Sequence, residues 1–156
     1  MNKNQAPDRK LPWNNPRFRN WVAVARACNA MQTVMSRALQ PLGLKTPHLD
    51  ILVNLYRFEG LTQQELARKM LVGRSNMSML LPQMEKRGLV ERSSDEKDRR
   101  VLRLSLTAEG RALAEKAIAI QMQVIDRAMQ VSTAEECDKV GELMNRMLAS
   151  LKDELD

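Results

Sequence analysis

Two groups of side chains in this sequence are placed to do chemistry, and the chemistry is recognition. One is the charged run Asp95, Glu96, Lys97, Asp98, Arg99 and Arg100 in SSDEKDRR. The other is the series Arg74, Ser75, Asn76, Ser78 and Gln83 in RSNMSMLLPQMEKRG, which holds no acid before Glu85. Guanidinium groups bind phosphate and enter the narrow, negative minor groove, while Ser, Asn and Gln hydrogen-bond base edges. The partner implied is double-stranded DNA. Catalysis would need an acid, base or nucleophile with a partner beside it. The single histidine, His48, and the cysteines Cys28 and Cys137 come without one, so no catalytic residue is assigned and the chain is not expected to be an enzyme. One histidine and no close cysteine pair also give no reason to expect a metal or another cofactor.

Such groups need elements to present them. LTQQELARKM opens with Thr62 and has Glu65 three residues on, the reciprocal pair that caps a helix start, and it sends Leu66, Ala67 and Met70 to one face. After LVG, the residues Met77, Leu80, Leu81 and Met84 stand at i, i+3, i+4 and i+7, and Gly88 supplies a stop. Two helices joined by a tight turn are therefore expected. The outer face of the second keeps Ser75, Asn76, Met79, Pro82 and Gln83, slender enough to lie in a major groove where bulky acids would be held off. A merely solvated face would carry Lys and Glu at i and i+4, which happens here only near Glu85 to Arg87.

LVER then reads as a strand, and VLRLSL alternates, with Leu102, Leu104 and Leu106 on one side and Arg103 and Ser105 on the other. The pair makes a hairpin whose loop is too polar to bury and too long for a minimal turn. Helix, turn, helix and charged hairpin is a winged helix, and Arg99 and Arg100 are positioned to reach along DNA. Asp98 fits as an internal support, holding an arginine or a loop N–H in place.

The flanks are long helices. MNKNQAPDRKLPWNNP reads as a mobile basic arm over residues 1–15, and Pro16 suits a first helical turn. A first helix follows, with Phe18, Trp21, Val22, Ala25, Cys28, Met31, Met35, Ala38 and Leu39 at helical spacing, ending at QPLGLKTP. Thr46 is expected to cap the next helix, with Pro47 in its first turn. Beyond the hairpin, Thr107 to Gln130 reads as one helix, and another starting at Ser132 or Thr133 carries Cys137, Val140, Met144, Met147, Leu148, Leu151 and Leu155. The organisation expected is an arm at 1–15, a dimerisation helix at 16–45, a winged helix at 46–107 and dimerisation helices at 108–156, all one integrated domain. These outer helices have more apolar surface than the winged helix can hide, so a homodimer on a pseudo-palindromic operator is expected.

Composition agrees. In 156 residues, 44% hydrophobic and only 3% aromatic, with Leu, Met and Ala dominant, a mainly helical chain is expected. The net charge of +6 is concentrated early: residues 61–107 carry ten Lys or Arg against six acids, and residues 108–156 carry six against ten. A basic portion beside an acidic one suits a polyanion binder. No apolar run reaches the ~20 residues of a membrane span, and the start lacks a signal peptide's apolar core, so a cytoplasmic location with reduced cysteines is expected.

The spacing Asp98, Arg100, Leu106, Thr107 and then AEG resembles the wing signature of the multiple-antibiotic-resistance regulator (MarR) family. The likeness extends from LTQQELARKM through RSNMSMLLPQMEKRGLVER to LTAEGRALAEKA. It implies a dimeric winged-helix transcription factor, usually a repressor, released by a small aromatic or acyl ligand or by cysteine oxidation. By position, the recognition helix would be Arg74 to Arg87 and the wing-tip arginine Arg100. Two residues depart from the pattern: Met79 stands where the family often has a basic phosphate contact, and Pro82 interrupts the helix at a cost of up to ~3 kcal/mol.

An effector site is expected where the first, second and fifth helices meet. There Trp21 would offer an apolar wall, His48 a hydrogen bond, and Arg17 and Arg19 a receptor for an anionic tail, with Cys28 alongside. The ligand would be an aromatic acid or its acyl thioester. Two alternatives stay open: a thiol switch at Cys28, although the reactive cysteine of peroxide-sensing relatives sits nearer Trp21 or Val22, and a sequence-indifferent, nucleoid-like DNA binder.

Overall fold

The computed structural model describes residues 14–70 and 74–152, with the side chains of residues 74–76 outside the description. Residues 1–13 of the expected arm, and Leu155, lie outside the described residues. Among the described residues, six α-helices, one 3-10 turn (Gln40–Leu42, between α1 and α2) and three short strands follow in the order α1 (Pro16–Leu39), α2 (Thr46–Arg57), β1 (Leu61–Thr62), α3 (Gln63–Lys69), α4 (Arg74–Lys86), β2 (Val90–Ser94), β3 (Leu102–Leu106), α5 (Ala108–Met129) and α6 (Ala134–Ser150). This is the mainly helical winged helix that the sequence predicts.

Local chemistry explains the boundaries. Asn15 caps α1 by accepting from the Arg17 N–H at 2.9 Å. Thr62 and Glu65 exchange hydrogen bonds at the start of α3, and Thr133 and Glu136 do the same at α6. Gly88 ends α4 with φ of 67°, where the Leu89 N–H reaches back to the Met84 carbonyl at 3.0 Å. The start of α2 differs from expectation. Thr46 is its first helical residue, and the cap position belongs to Lys45, whose N–H donates to His48 Nδ1 at 3.2 Å. An imidazole one turn in thus does what the Glu65 and Glu136 carboxylates do at the starts of α3 and α6.

The three strands form an antiparallel sheet in the order β1-β3-β2. Strand β1 was not expected; it pairs Leu61 with Leu104 and Thr62 with Arg103. Leu104 and Leu106 face the core as their alternation requires, but Leu102 is 46% exposed, because its register with Ser94 carries it past the buried layer to the wing.

The core is a single cluster. Leu39 of α1, Ile51, Leu52 and Leu55 of α2, Leu66 of α3, Met77, Leu81 and Met84 of α4, and Leu104 are fully buried, with Ala114 and Ala117 of α5 packed against them. Helix α4 runs unbroken through Pro82, which contributes no N–H to its ladder. The outer helices are different. Within α1 only Met35 and Leu39 are buried, and α6 buries none of its residues.

Candidate nucleic-acid interface

Helix α4 divides cleanly. Met77, Leu81 and Met84 are buried, whereas Ser78, Met79, Pro82 and Gln83 are exposed. The stripe they form holds no acid. Arg74 opens the same helix; its side chain, with those of Ser75 and Asn76, lies outside the described residues. Glu85, next along, is neutralised by Arg92 of β2, whose Nε sits 2.5 Å from its carboxylate. Arg87 ties the end of α4 to the turn after α1, donating to the Gly43 carbonyl at 3.0 Å.

The loop between β2 and β3 is organised by two aspartates. Asp95 Oδ1 accepts the N–H groups of Lys97 at 2.8 Å and Asp98 at 3.1 Å, and its Oδ2 accepts from Arg103 Nε at 2.8 Å. Those bonds, the Lys97 N–H first, hold the carboxyl below the ordinary carboxylate range. Asp98 Oδ1 accepts from Arg100 twice, at 3.0 Å from the backbone N–H and 3.1 Å from Nε. Its carboxyl is lowered by the Arg100 side chain first and the Arg100 backbone second. Arg100 is therefore aimed from its base while its side chain remains 91% exposed, and Arg99 beside it is also exposed.

Arg103, on the polar face of β3, anchors the wing. Besides Asp95 it reaches the Gly60 carbonyl at 3.1 Å and Glu65 at 3.4 Å, joining the hairpin to the start of α3. The partners lie 8, 43 and 38 residues away, so only the sheet register brings them together.

Thr107 and Gly110 show why LTAEG follows the wing. The Thr107 hydroxyl donates to the Gly88 carbonyl at 2.6 Å and accepts the Gly110 N–H at 2.9 Å. Gly110 then lies so close to the end of α4 that a Cβ there would stand 1.9 Å from the Leu89 carbonyl oxygen. The motif locks α5 onto the recognition element.

A groove of about 390 Å³ opens between α1, α2 and α5, lined among others by Met31, Met35, Pro47, Asp50, Val53 and Gln121. The helices are the expected ones, but the residues are not. Arg17, Arg19, Trp21 and Cys28 are exposed on the part of α1 that precedes Met31, where the chain has no core to pack on. His48 is buried and caps α2. Burial first, then Arg87, lowers its pKa below the usual 6.5. The structure therefore does not bring these five residues together, and none of them lines the groove. Helical spacing on α2, with Pro47, Asp50 and Val53 on one side, is the signal that could have found the lining.

Residues 42–101 match the model of the MarR family. The chain is 30% identical over 106 residues to the helix-turn-helix transcriptional repressor MdtR of Bacillus subtilis, covering 68% of each protein. It is also similar to the crystal structure of AbsC, a MarR family transcriptional regulator from Streptomyces coelicolor, with a TM-score of 0.79 and 25% identity, over 86% of this chain and 93% of that one. A MarR family protein of Mycobacterium tuberculosis in complex with p-aminosalicylic acid superposes with a TM-score of 0.64 and 30% identity, over 81% of this chain and 95% of that one. With the winged helix, the pinned wing arginine and the LTAEG lock already in place, this chain belongs to the MarR family of DNA-binding transcriptional regulators.

Proposed function

We propose that the protein is a homodimeric repressor that reads a two-fold operator through α4 and the wing and is released by a small aromatic ligand. The observation that carries it is the exposed, acid-free stripe Ser78, Met79, Pro82 and Gln83 on a helix whose other side is core, followed in the chain by a hairpin that presents Arg99 and Arg100 to solvent. Such a helix fits a major groove, and such a wing fits the adjoining minor groove.

Two copies are needed to cover the outer helices. Trp21 on α1 and Val140, Leu143 and Leu148 on α6 are each about half exposed, apolar surface that a lone chain would present to water. Joined through these helices, two α4 elements stand about one helical turn of DNA apart, ~34 Å. The residues assigned to DNA are Arg74, Ser75, Asn76, Ser78, Gln83, Arg99 and Arg100, with Asp98 as the wing's support.

The groove supports the effector part of the reading. It lies where the outer helices meet the winged helix, and Thr46 and Pro47 line it. The next residue, His48, is buried on α2, which packs against α4. A ligand that displaces the first turn of α2 is therefore felt on the reading face of α4, one way for binding to disfavour the DNA-bound arrangement. The relative from M. tuberculosis, in complex with p-aminosalicylic acid, supports a small aromatic acid as the ligand class. Cys28, exposed on α1, supports the second reading, release by thiol oxidation.

Selection of binding sites from a random DNA pool tests the DNA reading. The expected product is a two-fold sequence bound by two chains per duplex; recovery of sequences without a shared motif refutes it. For the effector, salicylate-class acids are expected to release the selected operator, and Gln32→Trp, which fills the groove, to block that release. Release by mild peroxide alone, abolished by Cys28→Ser, establishes the thiol switch instead.

A further inference from the structure

Among the described residues, the large apolar side chains left exposed follow a pattern. Trp21, Met122, Met129, Val131, Val140, Leu143, Leu148 and Leu151 belong to the outer helices and their connections, where a second copy accounts for them. Two remain on the winged helix: Leu102 on the wing and Met79 on α4. Met79 is 63% exposed and sits on the stripe assigned to DNA, with Pro82 three residues on and also exposed. Residues at i and i+3 are neighbours on a helix surface, so the two make one small apolar patch between Ser78 and Gln83.

In a major groove, almost every feature of a base edge is a hydrogen-bond donor or acceptor. The exception is the C5-methyl group of thymine. A thioether is at best a weak acceptor, and proline's ring has neither donor nor acceptor, so against guanine, adenine or cytosine this patch would strip water from polar edges and return nothing. Against a thymine methyl it gains apolar contact, and methionine's unbranched, rotatable chain can settle on it. We propose that Met79, backed by Pro82, is a specificity-determining residue that selects a thymine in each half-site by its methyl group. This rests on the reading of α4 as the groove helix.

Deoxyuridine isolates the claim, because it pairs as thymine does and lacks only the methyl. On the operator selected from a random pool, each thymine is replaced in turn by deoxyuridine and the dissociation constant measured. One thymine per half-site is expected to show a loss of roughly fourfold, the worth of one buried methyl. Met79→Leu should keep that sensitivity, and Met79→Ala should abolish it at the same position. The side chain is exposed, so both variants should unfold at the parent's temperature. A specific operator whose every deoxyuridine variant binds as tightly as the parent overturns the proposal and leaves the DNA reading intact. An undiminished deoxyuridine penalty in Met79→Ala does the same. Failure to select any specific sequence removes the DNA reading and this proposal with it.

Discussion

Arg103 Nε donates to Asp95 Oδ2 at 2.8 Å across the base of the wing. The same guanidinium reaches the Gly60 carbonyl and Glu65, so the loop that carries Arg100 is tied to the start of α3 rather than left to swing on its hairpin. Arg92 ties the base of β2 to Glu85 of α4, and Arg103 is the side chain that carries that anchorage out to the loop, so it sets the angle of the wing. Arg103→Met should keep the strand's packing and weaken operator binding by roughly tenfold, the worth of a charged hydrogen-bond set. Asp95→Asn should act through the same contact, and the double variant should therefore fall short of the sum. Titrations that show full additivity contradict the link.

Gly110 makes a second prediction with an unusual sign. Glycine to alanine inside a helix ordinarily stabilises by about 0.5–1 kcal/mol. Here the new Cβ would meet the Leu89 carbonyl oxygen at 1.9 Å, and backbone cannot turn aside as a side chain can. Gly110→Ala should cost ~2–3 kcal/mol, the range of overpacking. Urea unfolding that finds the variant as stable as its parent would show that α5 and the end of α4 are not locked together.

His48 gives the fold an acid-sensitive point. Neutral, its Nδ1 accepts the Lys45 N–H; protonated, it loses that bond and adds charge beside Lys45 and Arg87. Its pKa in the folded chain lies below 6.5, so the unfolded chain binds the proton first. Stability is then fully present above pH 6.5 and is lost as pH falls through the folded value. His48→Gln should remove that part of the slope between pH 7.5 and 5.5. Parallel stability curves for the two proteins contradict the assignment.

The apolar face of α6 predicts its own cover. Leu148 is 54% exposed in the single chain. If a second copy lies against it, Leu148→Glu buries a charge at the interface and should shift the mass in sedimentation from two chains to one, with helix content little changed. A parent protein that sediments as one chain at micromolar concentration would remove the dimer.

What could be read in advance follows the range of the interaction. The cap at Thr62 and the start of α6 at Ser132 or Thr133 were legible because each capping threonine and its glutamate partner are three residues apart. The stripe of Met77, Leu81 and Met84 was legible because helical spacing alone sorts it inward. Strand β1 has two residues, too few for any period, and exists only because β3 offers an edge. Arg103 was missed because its partners depend on register. The residues expected at the effector site are not brought together, for a related reason. The apolar periodicity of α1 continues unchanged from Phe18 to Leu39, but the chain's own core begins only at Met31, and a stripe does not say which chain covers it.

The measurement closest to the central claim is the ratio of two dissociation constants, for the selected operator and for a scrambled duplex of the same length and composition, at one physiological salt concentration. A sequence reader of this size should favour its operator by about a thousandfold or more. Arg100→Ala should weaken the operator by roughly ten- to a hundredfold, the range for a base-reading arginine. A parent ratio near one, with Arg100→Ala weakening both duplexes alike, would mean that the chain holds DNA by charge without reading it.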